Sequence, residues 1–183
     1  MWPVPPLRLG TLEAGPASAR PDLLAAPTLA ALRAGGWLDA AGVVEIDPDR
    51  SDTAATRDAY DVPEDALANC VIVAGRREGV ERVAACVVLA ATRADVNGVV
   101  RRRLDVRKAS FLPTGRAVEL TGMAVGAITP VGLPPGWPVL LDRRVADADL
   151  VIVGSGIRAS KLLVAGSLLA ALPAAEVVEG LGL

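Results

Sequence analysis

Residues 121–142 read TGMAVGAITPVGLPPGWPVLLD and are the most distinctive stretch of the chain. A Gly-x-x-x-Pro-x-Gly loop, formed by Gly126, Pro130 and Gly132, precedes a Pro/Gly-rich turn and a short apolar strand that ends at Asp142. Glycine lets a backbone approach a ligand closely, and proline fixes φ and removes one amide donor. The spacing therefore predicts a loop that recognises a ligand through main-chain amides.

The composition of the 183-residue chain excludes several kinds of catalytic site. There is no histidine, which excludes a Ser-His-Asp triad, a Cys-His pair and a histidine-ligated metal. Cys70 and Cys86 are too few for a thiolate zinc cage, and we expect neither a metal nor a cofactor. Aromatic residues make up 3% of the chain, which argues against an aromatic base-stacking platform. A role for a side-chain ammonium group falls to Lys108 or Lys161, the two lysines.

Charge is unevenly distributed along the chain. The net charge is −2, yet six basic residues and two acidic ones lie between Arg93 and Lys108. The longest apolar run, residues 162–175, is shorter than the about 20 residues that span a bilayer. No secretory signal follows Met1, so we expect a cytoplasmic protein with no membrane partner.

The order of short patterns predicts an α+β fold with a mixed, strongly curved sheet. Residues 1–22 contain five prolines and are predicted to be an extended arm or mobile tail, within an N-terminal extension over residues 1–50. A domain over residues 51–183 follows. Helices are predicted at residues 23–33, 53–60, from Thr92, 114–122 and from Ser167, and strands at residues 43–46, 69–74, 83–91, 109–112, 139–141, 150–153 and 161–164.

Two of these strands, residues 69–74 and 83–91, flank a polar turn and predict a hairpin centred near Glu78-Gly79. That centre places Cys70 roughly opposite Cys86. A cross-strand disulfide is conceivable, but two reduced core thiols are the interpretation favoured for a cytoplasmic protein.

Taken together, these pieces resemble the YbaK/prolyl-tRNA-synthetase-associated domain family over about residues 51–181. The resemblance depends on TAATRDAYDVP, ANCVIV, the helix from Thr92, ELTGMAVGAITPVG, PVLLD, VIVGSG and SLLAALP. It is most specific in LTGMAVGAITPVG followed by PVLLD. The family fold is a twisted mixed β-sheet or pseudo-barrel flanked by short helices.

The resemblance implies an aminoacyl-tRNA deacylase, which hydrolyses the ester of mischarged tRNA. The implied partner is the tRNA 3′ end with its attached amino acid. The family's loop matches residues 126–132, its acidic strand end matches Asp142, and its glycine after the next strand matches Gly154.

One position departs from the family pattern. The family usually carries a functional lysine where this chain has Asn69, at the start of the strand ANCVIV. Asparagine donates and accepts hydrogen bonds but carries no charge. Three alternatives follow: Asn69 is used differently, Lys161 supplies the charge from another strand, or hydrolysis has been lost.

Ester hydrolysis without histidine or metal is feasible if the free ribose hydroxyl of the substrate helps to activate water and backbone amides stabilise the oxyanion. The predicted catalytic positions are Asn69, Gly126 and Asp142. The predicted substrate-binding positions are Thr129, Pro130, Gly132, Gly154, Gly156, Arg158, Ser160 and Lys161. The predicted contacts to the tRNA backbone are Arg101, Arg102 and Arg103.

Three other functions are alternatives to the deacylase. The spacing Gly154-x-Gly156-x-x-Ala159 matches a dinucleotide fingerprint, but too little chain follows for a Rossmann unit. A non-catalytic module that binds aminoacyl-tRNA or a nucleotide is the main alternative, because Asn69 replaces the lysine. A structural or interaction protein that uses the proline-rich N-terminus is the third.

Overall fold

The computed structural model describes residues 6–183, which form two five-stranded sheets and short helices. The strands are β1 (Leu7–Leu9), β2 (Leu12–Pro16), β3 (Gly42–Glu45), β4 (Ala68–Arg77), β5 (Val80–Leu89), β6 (Ala109–Phe111), β7 (Val139–Asp142), β8 (Val151–Gly154), β9 (Ser160–Val164) and β10 (Ala175–Val178). The α-helices are α1 (Ala26–Ala34), α2 (Thr53–Tyr60), α3 (Arg101–Leu104), α4 (Thr114–Thr121), α5 (Arg143–Ala146) and α6 (Gly166–Ala170).

Strand pairing gives a mixed architecture. The first sheet has the order β1-β2-β3-β9-β8 and is antiparallel throughout. The second has the order β10-β7-β5-β4-β6, in which β7 runs parallel to both β5 and β10. A parallel bridge between Leu67 and Ile152 links the start of β4 to β8. The α+β prediction with a curled, mixed sheet is confirmed.

An aliphatic core joins the two sheets. Val43 and Leu162 of the first sheet belong to the same buried cluster as Ile72, Val87 and Leu141 of the second. The opposite face of the second sheet is covered by the segment after β5, a wide helical turn over Val96–Val100 followed by α3. Within residues 6–183, no helix is both long enough and apolar enough to cross a bilayer.

The N-terminal segment departs from the predicted arm. Residues 7–16 form β1 and β2, and β2 pairs with β3, which in turn pairs with β9 through Val44 and Lys161. Leu12 and Ala14 are buried, so the expectation of an extended arm or mobile tail is wrong for residues 6–22. Residues 1–5 lie outside the described part of the chain. The division at residues 50 and 51 stays a prediction.

The predicted hairpin is present, and its register separates the two cysteines. Because Arg77 pairs with Val80, Cys70 lies opposite Val87 and Cys86 lies opposite Val71. A shift of one residue places a side chain on the other face of a sheet. Cys70 packs with the core between the sheets and Cys86 with the opposite face, and both thiols are free. The cross-strand disulfide is therefore wrong.

Two helix starts also differ from prediction. Asp95 is itself the cap of the helical turn that follows, accepting hydrogen bonds from the amides of Gly98 and Val99, so that turn begins at Val96 rather than at Thr92. Helix α1 begins at Ala26 rather than near Leu23, with Pro27 inside its first turn, where a proline is tolerated because no intrahelical amide is needed.

Candidate active site

A cavity of about 220 Å³ lies where the starts of β4, α2 and β9 meet the end of β8 and the loop at residues 126–128. Four of the predicted site residues, Asn69, Gly126, Gly154 and Lys161, line it. The other lining residues are Asp52, Thr53, Leu67, Ala68, Cys70, Val71, Ile128, Ile152 and Val153. Four stretches of the chain, at residues 52–53, 67–71, 126–128 and 152–161, thus form one cavity whose lining is partly polar and partly apolar.

The cavity contains a buried cation. Lys161 is 7% exposed, and its Nζ donates a hydrogen bond of 2.6 Å to the carbonyl oxygen of Ser51. Burial lowers the pKa of Lys161 from 10.5 to about 8; Asp52 partly opposes this shift, and Arg158 adds to it. The ammonium group is therefore mostly protonated at pH 7 and loses its charge within the next two pH units.

Asn69 is held by the helix that starts beside it. Thr53, the first residue of α2, donates a hydrogen bond of 2.6 Å from Oγ1 to Oδ1 of Asn69. The side-chain nitrogen of Asn69, Nδ2, has no hydrogen-bond partner anywhere in residues 6–183 and is available as a donor.

The glycine–proline loop contributes unpaired main-chain amides. The amides of Ala127, Thr129 and Val131 donate to Ala124 O, Met123 Sδ and Thr129 Oγ1, respectively. Across the described part of the chain, the amides of the two loop residues that line the cavity, Gly126 and Ile128, donate to no protein group. Partnered and unpartnered amides thus alternate along the loop.

The loop is packed directly on β8 because Gly154 has no side chain. A Cβ at Gly154 would lie 2.4 Å from the carbonyl oxygen of Ala127 and 2.8 Å from that of Ile128. Gly126 has a φ of +74°, a backbone conformation that disfavours a side chain. Glycine at these two positions therefore allows the loop to pack on β8, and its predicted approach to a ligand stays a prediction.

Arg158 bridges two segments at the rim of the cavity. Its guanidinium donates to the carbonyl oxygens of Val125 (3.2 Å) and Pro48 (3.0 Å), and it lies 3.7 Å from the carboxylate of Asp52. Arg158 thus ties the loop to the segment that leads into α2. It does not line the cavity itself.

Asp142 does not line this cavity, so the structure does not bring it together with Asn69, Gly126 and Gly154 as the sequence predicted. It caps α5, is 1% exposed, and accepts hydrogen bonds from the amide and guanidinium of Arg144 and from the amide of Gly182. Burial alone would raise the pKa of Asp142, but these hydrogen bonds outweigh it and the pKa is lowered. An acidic residue at a strand end serves here as a helix cap.

Five further predicted substrate contacts lie outside the cavity as well. Ser160 donates to the carbonyl of Leu23, and Thr129 is completely buried. Gly132 and Gly156 have positive φ and pack against residues 25–28 at the start of α1. Pro130 lines a separate apolar cavity of about 520 Å³ with Trp37 and Trp137.

Arg101, Arg102 and Arg103 are exposed on α3 and do not line the cavity. Arg101 donates to the carbonyl of Asn97, and Arg103 forms an ion pair with Glu176. Their contact with a tRNA backbone stays a prediction.

Sequence reasoning missed the contribution of residues 51–53. The sequence predicts a helix at residues 53–60 but gives Ser51, Asp52 and Thr53 no place in the site. The structure uses this turn to anchor Lys161, to oppose its pKa shift and to hold Asn69. Nothing in the local sequence indicates these contacts, because all of them are made to distant strands.

Comparison with known proteins gives a family match. The family model for the aminoacyl-tRNA editing domain matches residues 47–172. No curated protein sequence matches the chain.

Solved structures share the fold. One, described as "a putative trans-editing enzyme for prolyl tRNA synthetase", is 21% identical with a TM-score of 0.70, over 85% of this chain and 94% of that chain. A hypothetical protein is 22% identical with a TM-score of 0.72, over 83% and 96%. A structure from computational grafting of epitopes onto scaffold proteins is 22% identical with a TM-score of 0.69, over 85% and 94%.

Proposed function

The chain belongs to the aminoacyl-tRNA editing domain family, and from this premise we propose that it is a trans-editing deacylase that hydrolyses the ester of mischarged tRNA. The observation that carries the proposal is the cavity in which a buried lysine, an asparagine and two unpaired loop amides converge. It offers a cation, a neutral donor and an oxyanion site without any histidine.

The loop amides and a hydroxyl group of the substrate act in the hydrolysis itself. Water attacks the acyl carbon, and the negative charge that develops on the carbonyl oxygen is stabilised by the amides of Gly126 and Ile128. The bond between the acyl carbon and the ribose oxygen then breaks. A proton from the attacking water passes to that ribose oxygen, with the neighbouring hydroxyl of the substrate as the relay. The products are the free amino acid and uncharged tRNA.

Lys161 supplies the positive charge that the family usually takes from β4. Among the three alternatives raised by Asn69, this one is supported by position, because Lys161 on β9 and Asn69 on β4 line the same cavity. An ammonium group that is removed from water interacts more strongly with a phosphate or an acyl oxygen than an exposed one. We assign it to the terminal phosphate or the ester carbonyl.

The test is ester hydrolysis across a panel of mischarged tRNAs. Wild-type protein should release the amino acid from at least one member, whereas Lys161→Met and Asn69→Ala should lose most of this activity while remaining folded. Asp142→Asn is the matched control, since it alters a buried polar residue outside the cavity. Activity that survives in Lys161→Met and disappears in a folded Asp142→Asn would contradict the assignment.

A binding module without hydrolysis is the second candidate. It is favoured by one observation, namely that the Asn69 carbonyl is already engaged by Thr53 and leaves only a neutral donor where the family has a charge. Saturable binding of an aminoacyl-adenosine analogue, with no release from any charged tRNA, would support this alternative.

A further inference from the structure

A second polar surface lies at the opposite end of β4. Arg76 at the end of β4, Arg107 and Lys108 just before β6, and Arg116 on α4 surround a groove of about 380 Å³ that also includes Phe111. We call these five residues the β6-edge surface. They all have exposed side chains and form no part of the candidate active site.

This surface carries an excess of positive charge. Among residues 6–183, Glu81 is the one acidic residue that lines the groove; it is bound to Arg116 by two hydrogen bonds of 2.8 and 2.9 Å and lies opposite Arg76 in the hairpin. Over residues 6–183, the side chains of Arg76, Arg107 and Lys108 have neither an ion pair nor a hydrogen bond. Glu119 on α4 adds a weaker negative influence on Arg116.

The neighbouring arginines behave differently. Arg77 and Arg82 both pair with Asp105, and Arg103 pairs with Glu176. Within residues 6–183, Arg33, Arg50, Arg93 and Arg102 also lack an ion pair, but none of them lines this groove, where three unpaired cations lie together on a chain whose net charge is −2. Such a local excess attracts a polyanion, whereas the chain as a whole does not.

The strand at this edge favours nucleic acid over a protein strand as the bound partner. Strand β6 is the last in its sheet and has only three residues, and cations beside an edge strand oppose pairing with another chain. Phe111, the chain's only phenylalanine, is 60% exposed there. One ring is too few for a stacking platform, but an exposed ring among cations suits contact with a single unpaired base next to the phosphates that the cations bind.

We propose that the β6-edge surface binds the sugar–phosphate backbone of tRNA at a distance from the aminoacylated end. The inference rests on the proposed function, because it places the 3′ end in the candidate active site. Asn69 and Arg76 are seven residues apart on β4, or about 23 Å at the usual rise of a strand. The surface thus supplies affinity for the body of the substrate, and the cavity performs the chemistry.

The experiment measures binding of uncharged tRNA by fluorescence anisotropy over a range of salt concentrations. The double variant Arg107→Gln/Lys108→Gln should bind at least tenfold more weakly than wild type at low salt, and the slope of log K against log salt should become less steep by about 2. Phe111→Ala should weaken binding several-fold. Arg33→Gln is the control, as it removes from α1 an exposed charge that has no ion pair within residues 6–183, and it should bind like wild type.

Two substrates separate this proposal from the deacylase proposal. The double variant should hydrolyse a short aminoacylated CCA oligonucleotide as fast as wild type but show a raised KM for full-length aminoacyl-tRNA. Should wild type hydrolyse neither substrate while the double variant still loses tRNA binding, the deacylase proposal fails and the surface stands. An unchanged affinity and salt slope in the double variant would overturn the surface. The surface proposal would also be overturned if polyglutamate competed as well as tRNA and Phe111→Ala bound tRNA like wild type, since an acidic protein would then be the better partner.

Discussion

The buried lysine makes the stability of the protein depend on pH in a way that can be calculated. One pH unit of difference between the folded and unfolded pKa corresponds to about 1.4 kcal/mol. For Lys161 the fall from 10.5 to about 8 therefore corresponds to about 3 kcal/mol. Because the folded pKa is the lower one, the unfolded chain binds more protons between these values. The unfolding free energy should rise by this amount as pH increases from about 8 to 10.5, and this gain should be lost as pH falls back through about 8.

Urea unfolding followed by tryptophan fluorescence at several pH values measures this effect. Other groups also titrate in that range, so the quantity of interest is the unfolding free energy of wild type minus that of Lys161→Met at each pH. The difference should increase by about 3 kcal/mol from pH 7 to pH 10.5. Lys108→Met, which removes the chain's other lysine from an exposed position, should follow the wild-type profile. A difference that stays flat with pH would refute the buried position of the ammonium group.

Three further predictions concern the site and its surroundings. Deacylation by wild type should decrease as pH rises through about 8, because Lys161 loses the charge that binds substrate; kcat/KM against pH measures this, and a rate that keeps rising would contradict it. Gly154→Ala should lower the unfolding free energy by about 1–3 kcal/mol and impair hydrolysis, since its Cβ would collide with the loop carbonyls. Gly115→Ala in α4 has open space and should instead be neutral or stabilising by up to about 1 kcal/mol, a contrast that thermal unfolding checks. Asp142→Asn should lower the unfolding free energy by about 1–3 kcal/mol, because it weakens the bonds to Arg144, and should leave kcat of the folded protein unchanged. Because the pKa of Asp142 is lowered in the folded protein, its contribution to the unfolding free energy of wild type should be lost at acid pH.

Local patterns predicted most of the second sheet. The polar turn at Glu78-Gly79 specified the hairpin, and the two-residue loop then fixed the exact register, which placed Cys70 opposite Val87. By contrast, β1 and β2 form a short local hairpin that contains or adjoins prolines. This hairpin is held by distant residues, since β2 pairs with β3 and the amide of Thr11 donates to the carbonyl of Tyr60. The five prolines outweighed the weak strand pattern, so the sequence predicted an arm.

The candidate site was predicted in part for the same reason. Gly126 and Gly154 could be predicted from sequence because glycine is favoured where the backbone has a positive φ, as at Gly126, and where another backbone approaches closely, as at Gly154. Lys161 was singled out as one of two lysines, but its burial beside Asn69 depends on how four segments fold together. Asp142 was assigned to the site because a carboxylate at the end of a strand gives the same sequence pattern whether it binds a ligand or, as here, caps a helix.

The pairing of β3 with β9 limits how far the chain can be trimmed. The family match begins at residue 47, just after β3, although Val44 of β3 is the direct neighbour of Lys161. A fragment that starts at residue 47 would keep every residue lining the cavity, yet it would turn β9 from an inner strand into an outer one with a row of unsatisfied backbone groups. Such a fragment should tend to aggregate, and Lys161 would lose the strand that pairs with its backbone.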